Sequence, residues 1–149
     1  MLLNGHGILA NPVLWASTIA WAIAQMLKVF TSLYYDKRLD WSKLVGTGGM
    51  PSSHSAFVAS LAVGVGLREG WDSSVFAVAT VFALVVMYDA AGVRRAAGRQ
   101  AKILNQMMEI FFKERHLPTT KLRELLGHTP IEVFAGSILG AAVAVWMLG

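Results

Sequence analysis

Four long apolar runs, at residues 13–34, 52–67, 73–93 and 131–148, limit the fold of this chain more than any other feature. The first and third approach the roughly 20 residues an α-helix needs to cross a hydrocarbon layer of about 30 Å. The second and fourth are short, which fits a thinned bilayer or, for the second, a re-entrant piece buried in protein. Hydrophobic residues make up 55% of the chain and charged residues 15%, whereas soluble domains carry about 25% charge. The expected fold is an all-α integral membrane helix bundle of about four spans, forming one domain over residues 1–149. The first dozen residues contain no Lys or Arg, so the first run reads as a retained span and not as a signal peptide. With no cysteine there is no disulfide framework and no thiolate metal site.

The loops set an orientation. Lys37, Arg38 and Lys43 lie between the first and second runs, and Arg68 stands alone between the second and third. Between the third and fourth lie Arg94, Arg95, Arg99, Lys102, Lys113, Arg115, Lys121 and Arg123. The positive-inside rule then puts both basic loops in the cytoplasm and both termini outside, in the cell's inner membrane. Within residues 96–115, Ile103, Leu104, Met107, Met108 and Phe111 recur at three- and four-residue steps among polar residues, which predicts an amphipathic helix on the cytoplasmic face. A short helix is expected at 121–126, stopped by Gly127. Thr129-Pro130-Ile131-Glu132 carries the signals of a capped helix start for the last run. Small residues at Gly136/Gly140 and Ala56/Ser60/Gly64 allow close helix approach, within one chain or between copies in a homo-oligomer.

That topology gathers chemistry. His54 follows Gly48-Gly49-Met50-Pro51-Ser52-Ser53 at the start of the second run, where helix N–H groups and the helix dipole favour an anion. Arg94 and Arg95 end the third run on the same side, His128 and Glu132 open the fourth there, and Lys28 lies in the matching half of the first. Each has a plain structural reading as well. His54 fits a turn, Arg94 and Arg95 fit snorkelling anchors, His128 fits a solvated loop, and a Thr129–Glu132 capping box accounts for the carboxylate. Lys28 and Asp89 are ionisable groups inside spans, a functional signal unless they neutralise each other, and Gln25 lies one turn before Lys28. A phosphoryl-transfer reading uses all of these residues. One imidazole attacks phosphorus, a second protonates the leaving alkoxide, and a carboxylate fixes the first ring's tautomer. Lys, Arg and the amides after Pro51 bind the charged oxygens, with no metal or cofactor required. Such a site needs the two imidazoles about 4–8 Å apart.

The motif Gly49-Met50-Pro51-Ser52-Ser53-His54 resembles the Pro-Ser-Gly-His signature of the type 2 phosphatidic acid phosphatase and vanadium haloperoxidase superfamily. The stretches Tyr88-Asp89-Ala90-Ala91-Gly92-Val93-Arg94-Arg95 and Gly127-His128-Thr129-Pro130-Ile131-Glu132-Val133 are similar to its small divergent branch of bacterial and plastid membrane proteins. The resemblance implies His54 as acid, His128 as nucleophile and Glu132 as its orienting partner. It also implies Lys28, Arg94 and Arg95 on phosphate, with Ser52 and Ser53 beside them and Asp89 and Gln25 in support. The chain departs from standard members in Ser53 (Gly there), Glu132 (Asp there) and the long interval between Arg95 and His128.

The expected activity is hydrolysis of a membrane lipid phosphate, such as phosphatidylglycerophosphate, phosphatidic acid or a polyprenyl diphosphate. The principal rival is a non-catalytic scaffold that holds anionic lipid through its basic loops. Two further alternatives are a metal site from His54, His128 and Glu132 or Asp89, and haloperoxidase chemistry on vanadate. Nucleic-acid binding is excluded: the basic residues adjoin spans and lack the interleaved aromatics that stack bases.

Overall fold

The computed structural model describes residues 7–36, 49–112 and 127–149. After a single 3-10 turn at Ile8–Ala10, the described residues form helices α1 (Pro12–Asp36), α2 (Ser53–Glu69), α3 (Ser74–Ala91), α4 (Val93–Phe112) and α5 (Pro130–Leu148), with no strand among them. The all-α bundle expected from the apolar runs is the fold observed. The short helix expected at 121–126, and the basic residues Lys37, Arg38, Lys43, Lys113, Arg115, Lys121 and Arg123, lie outside the described residues.

Helix starts follow local chemistry. Asn11 accepts from the N–H groups of Val13 and Leu14 at 3.0 and 3.1 Å, with Pro12 at the first helical position. Ser52 caps α2 by accepting from Ser55 N–H, and Ser73 caps α3 by accepting from Phe76 N–H. α5 carries the full Thr129–Glu132 capping box with proline in its first turn, as its sequence predicts. Gly70 ends α2 at φ +94°, a left-handed conformation that a residue with a Cβ rarely adopts.

α2 is the enclosed core helix, packed against α1, α3 and α5. Three helical stretches, 12–32, 74–110 and 130–148, are long and apolar enough to cross a membrane by themselves. α2 is shorter, yet it traverses the same height: Ser53 meets Lys28, and Gly64 lies beside Val13 of α1 and Leu148 of α5. It therefore runs antiparallel to α1 and parallel to α5, along the height of the bundle and not as a re-entrant piece. The outer surface is apolar. Val78, Val81, Leu84 and Val85 of α3 and Phe134, Ile138 and Trp146 of α5 are exposed, as expected for side chains that meet lipid.

Small residues carry the interior. Ala16, Ala20, Ala24, Lys28 and Ser32 recur every fourth residue along α1 and are all buried. On α5, Gly136 lies against the Ser52 carbonyl and Gly140 against the Ala56 carbonyl, so closely that a Cβ at either would overlap the carbonyl oxygen. The small-residue faces of α2 and α5 thus pack on each other within one chain.

α3 and α4 are separated only by Gly92. This corrects two expectations. The third run stops at Ala91 instead of 93, and Arg94 and Arg95 occupy the first turn of α4 instead of the end of α3. Regular helical turns resume at once after Gly92, which the apolar count alone did not register. Among the described helices α4 packs chiefly on α3, and Ile103, Leu104, Met107 and Ile110 on its apolar face are exposed.

Candidate active site

The C-terminal ends of α1 and α3 meet the N-terminal ends of α2 and α5, which puts residues far apart in sequence at one end of the bundle. His54 lies in the first turn of α2, and His128 stands two residues before α5. Their ring centroids are 6.0 Å apart with an interplanar angle of 63°. That distance lies inside the range asked of two imidazoles acting on one phosphorus.

His128 is held at two points. Its backbone N–H donates to the Ala90 carbonyl at the end of α3, at 3.0 Å. Its Nδ1 lies 2.9 Å from Glu132 Oε2. The same carboxylate oxygen accepts from Thr129 N–H at 3.2 Å, while Glu132 N–H donates to Thr129 Oγ1 at 3.4 Å. One carboxylate therefore both completes the capping box and meets the His128 ring. With Nδ1–H donating to Glu132, the lone pair of a neutral His128 resides on Nε2. His128 is only 2% exposed, which corrects its reading as a solvated loop residue.

Lys28 is equally buried, at 2% exposure. Its Nζ donates to Gln25 Oε1 at 2.8 Å and to Ser53 Oγ at 2.9 Å. Both acceptors are neutral, and the ammonium makes no ion pair with Asp89 among the described residues. A cation in such surroundings attracts an anion strongly, because little water screens it. Asp89, half-buried, precedes the Ala90 carbonyl that anchors His128. Ser52 and Ser53 are buried, and Ser52 N–H donates to the Glu132 carbonyl at 2.9 Å, tying the start of α2 to the first turn of α5. Arg94 and Arg95 follow Ala90 by one turn of chain, and their side chains lie outside the described residues. Among the described residues, no group of three or more His, Asp or Glu is placed to hold a metal ion.

Some positioning contacts were not anticipated from sequence. Ser55 is fully buried and donates its hydroxyl to Ser52 Oγ at 3.0 Å. Thr31 Oγ1 donates to the Met50 carbonyl at 2.8 Å, fastening the segment before His54 to α1. The four-residue repeat leading to Lys28 signals the face on which Ser32 and Gln25 lie, but no sequence signal picks out the Ala90 carbonyl.

A sequence model of the Divergent PAP2 family matches residues 9–143. Over 144 residues the chain is 45% identical to the uncharacterized membrane protein YuiD of Bacillus subtilis (strain 168), covering 89% of this chain and 91% of that protein. No solved structure matches the chain.

Proposed function

This chain belongs to the Divergent PAP2 family, and from that premise we propose that it is a lipid phosphate phosphatase working through a His128 nucleophile and a His54 acid. The observation that carries the reading is the adjacent, edge-on pair of rings, 6.0 Å apart, one of them bonded to a carboxylate. His128 Nε2 attacks phosphorus, the bond from phosphorus to the lipid oxygen breaks, and that oxygen takes a proton from protonated His54. Glu132 stabilises the positive charge that develops on the His128 ring. Neutral His54 then takes a proton from water, the water oxygen attacks the phosphohistidine, and the N–P bond breaks to free inorganic phosphate. Lys28 and the start of α2 balance the equatorial oxygens, and the family resemblance gives Arg94 and Arg95 the same task. Phosphatidylglycerophosphate is the first substrate to try, followed by phosphatidic acid and polyprenyl diphosphate, for which the leaving group is the lipid monophosphate. Phosphate release by the pure protein from none of the three would overturn the assignment.

Glu132→Gln separates the two jobs of that side chain. Glutamine still completes a capping box, so the protein stays folded, but it cannot balance an imidazolium. Turnover is expected to fall about 10²-fold, while the melting temperature in detergent stays near the parent's. Unchanged turnover would remove Glu132 from the mechanism.

The site is assigned to the cytoplasmic leaflet of the inner membrane, because the basic residues flank its end of the bundle. The chain has no cysteine, so single cysteines report sidedness cleanly. In intact cells a membrane-impermeant maleimide is expected to label Gly149→Cys and spare Ser42→Cys. The reverse pattern would put the site on the outer face.

A further inference from the structure

The segment that leads into His54 is pinned to two helices. Thr31 Oγ1 of α1 donates to the Met50 carbonyl at 2.8 Å, and Ser52 N–H donates to the Glu132 carbonyl in the first turn of α5 at 2.9 Å. Pro51 alone separates the two pinned residues, and α2 starts directly after Ser52. The Thr31 hydroxyl also lies 3.0 Å from the Lys28 carbonyl one turn back, so the Met50 bond leaves α1 beside the cation of the site. Gly49, at φ +88°, passes the Lys28 methylenes: a Cβ there would lie 3.8 Å from Lys28 Cγ. At the other end of the segment, Ser53 Oγ accepts from Lys28 Nζ at 2.9 Å. The bond to Met50 lies at the exposed rim, where water can replace the hydroxyl. It therefore fixes position and adds little to stability.

We propose that Thr31 is a positioning residue for His54: its hydroxyl fixes the Met50 carbonyl, and with it the direction in which the first turn of α2 presents the imidazole. The inference rests on the phosphatase reading for the role of His54 as acid, and on the bonds alone for the placement of the ring. Without the hydroxyl the segment turns about its remaining pins at Ser52 and Ser53. Lys28 follows such a turn, because its ammonium ends a flexible four-carbon stem and keeps Gln25 as a second acceptor. The His54 ring hangs on two side-chain torsions and turns with the backbone. A misplacement of about 1 Å costs a reacting group about 10²-fold, and a turn limited by two surviving pins costs less. Loss of the acid also has a chemical signature that loss of phosphate binding lacks. A lipid alkoxide leaves only as it gains a proton, whereas a nitrophenolate leaves without one.

The test compares three variants of the full chain in lipid nanodiscs. Thr31→Val keeps the size and removes the hydroxyl, and Thr31→Ser restores it. Thr18→Val is the control, because Thr18 Oγ1 donates to the Leu14 carbonyl of its own helix. Thr31→Val is expected to lower kcat/KM about ten-fold on phosphatidic acid and to stay within about two-fold of the parent on nitrophenyl phosphate. Thr31→Ser and Thr18→Val are expected to match the parent on both. An equal loss on the two substrates, or none on either, would overturn the assignment. NMR of histidine-labelled protein gives a reading independent of turnover, with the His54 ring signals identified by their loss in His54→Asn. Thr31→Val is expected to shift those signals and Thr31→Ser to return them. Unmoved signals would overturn the positioning role even in an inactive protein. Shifted signals in a protein that releases no phosphate from any lipid would leave the role of Thr31 standing and remove the phosphatase reading.

Discussion

His128→Asn is expected to lower lipid phosphate hydrolysis by about 10⁴-fold while the protein remains a folded bundle. The effect is large because the ring supplies the attacking atom, and neither Lys28 nor the arginines can take over a covalent role. Asparagine is chosen over alanine because His128 is buried against the end of α3, and an empty site there would blur a catalytic loss with a packing loss. The backbone N–H bond to Ala90 survives the substitution. Phosphate release and the detergent melting temperature, measured on one preparation, separate the two effects. Near-parental turnover in a folded His128→Asn protein would remove the nucleophile assignment.

Gly140→Val is expected to have the largest effect on stability. The first atom beyond Cα would already overlap the Ala56 carbonyl, and backbone cannot swing aside as a flexible side chain can. Gly140→Ala is expected to cost about 1–3 kcal/mol, and the two further methyl groups of valine more than that. Because Gly136 and Gly140 set the α2–α5 spacing, the same change separates His54 from His128, so turnover falls with stability. A thermal melt in detergent, beside the lipid-facing control Val81→Ala, reads this directly. A Gly140→Val protein melting with the parent would contradict the close α2–α5 crossing.

Helices α1, α2, α3 and α5 were legible because hydrophobic length is a physical requirement of the bilayer, and their observed ends lie within two residues of the apolar runs. The meeting of Lys28, His54, His128 and Glu132 was legible for a related reason: successive helices of a bundle alternate direction, so the ends facing one surface follow from counting. The second run was harder. Its length left a re-entrant piece open, and only its position inside the bundle, with Ser53 at Lys28 and Gly64 at Val13, makes it a full-height helix. The burial of His128 was not legible, because the bond holding it goes to a backbone carbonyl, and every residue type carries the same backbone. Glu132 shows the opposite limit. The capping signature explained it completely, and so concealed that one oxygen serves both Thr129 N–H and His128 Nδ1.

The proposed mechanism requires a phosphoryl group to pass through His128. The most direct measurement is to mix purified wild-type protein with a radiolabelled lipid phosphate, stop the reaction in alkali within one turnover, and locate the label by peptide mass spectrometry. The prediction is an alkali-stable, acid-labile phosphoryl group on the peptide bearing His128, lost in His128→Asn and accumulating when hydrolysis is slowed. Phosphate release with the label on another residue, or with none on protein at any time, would contradict it.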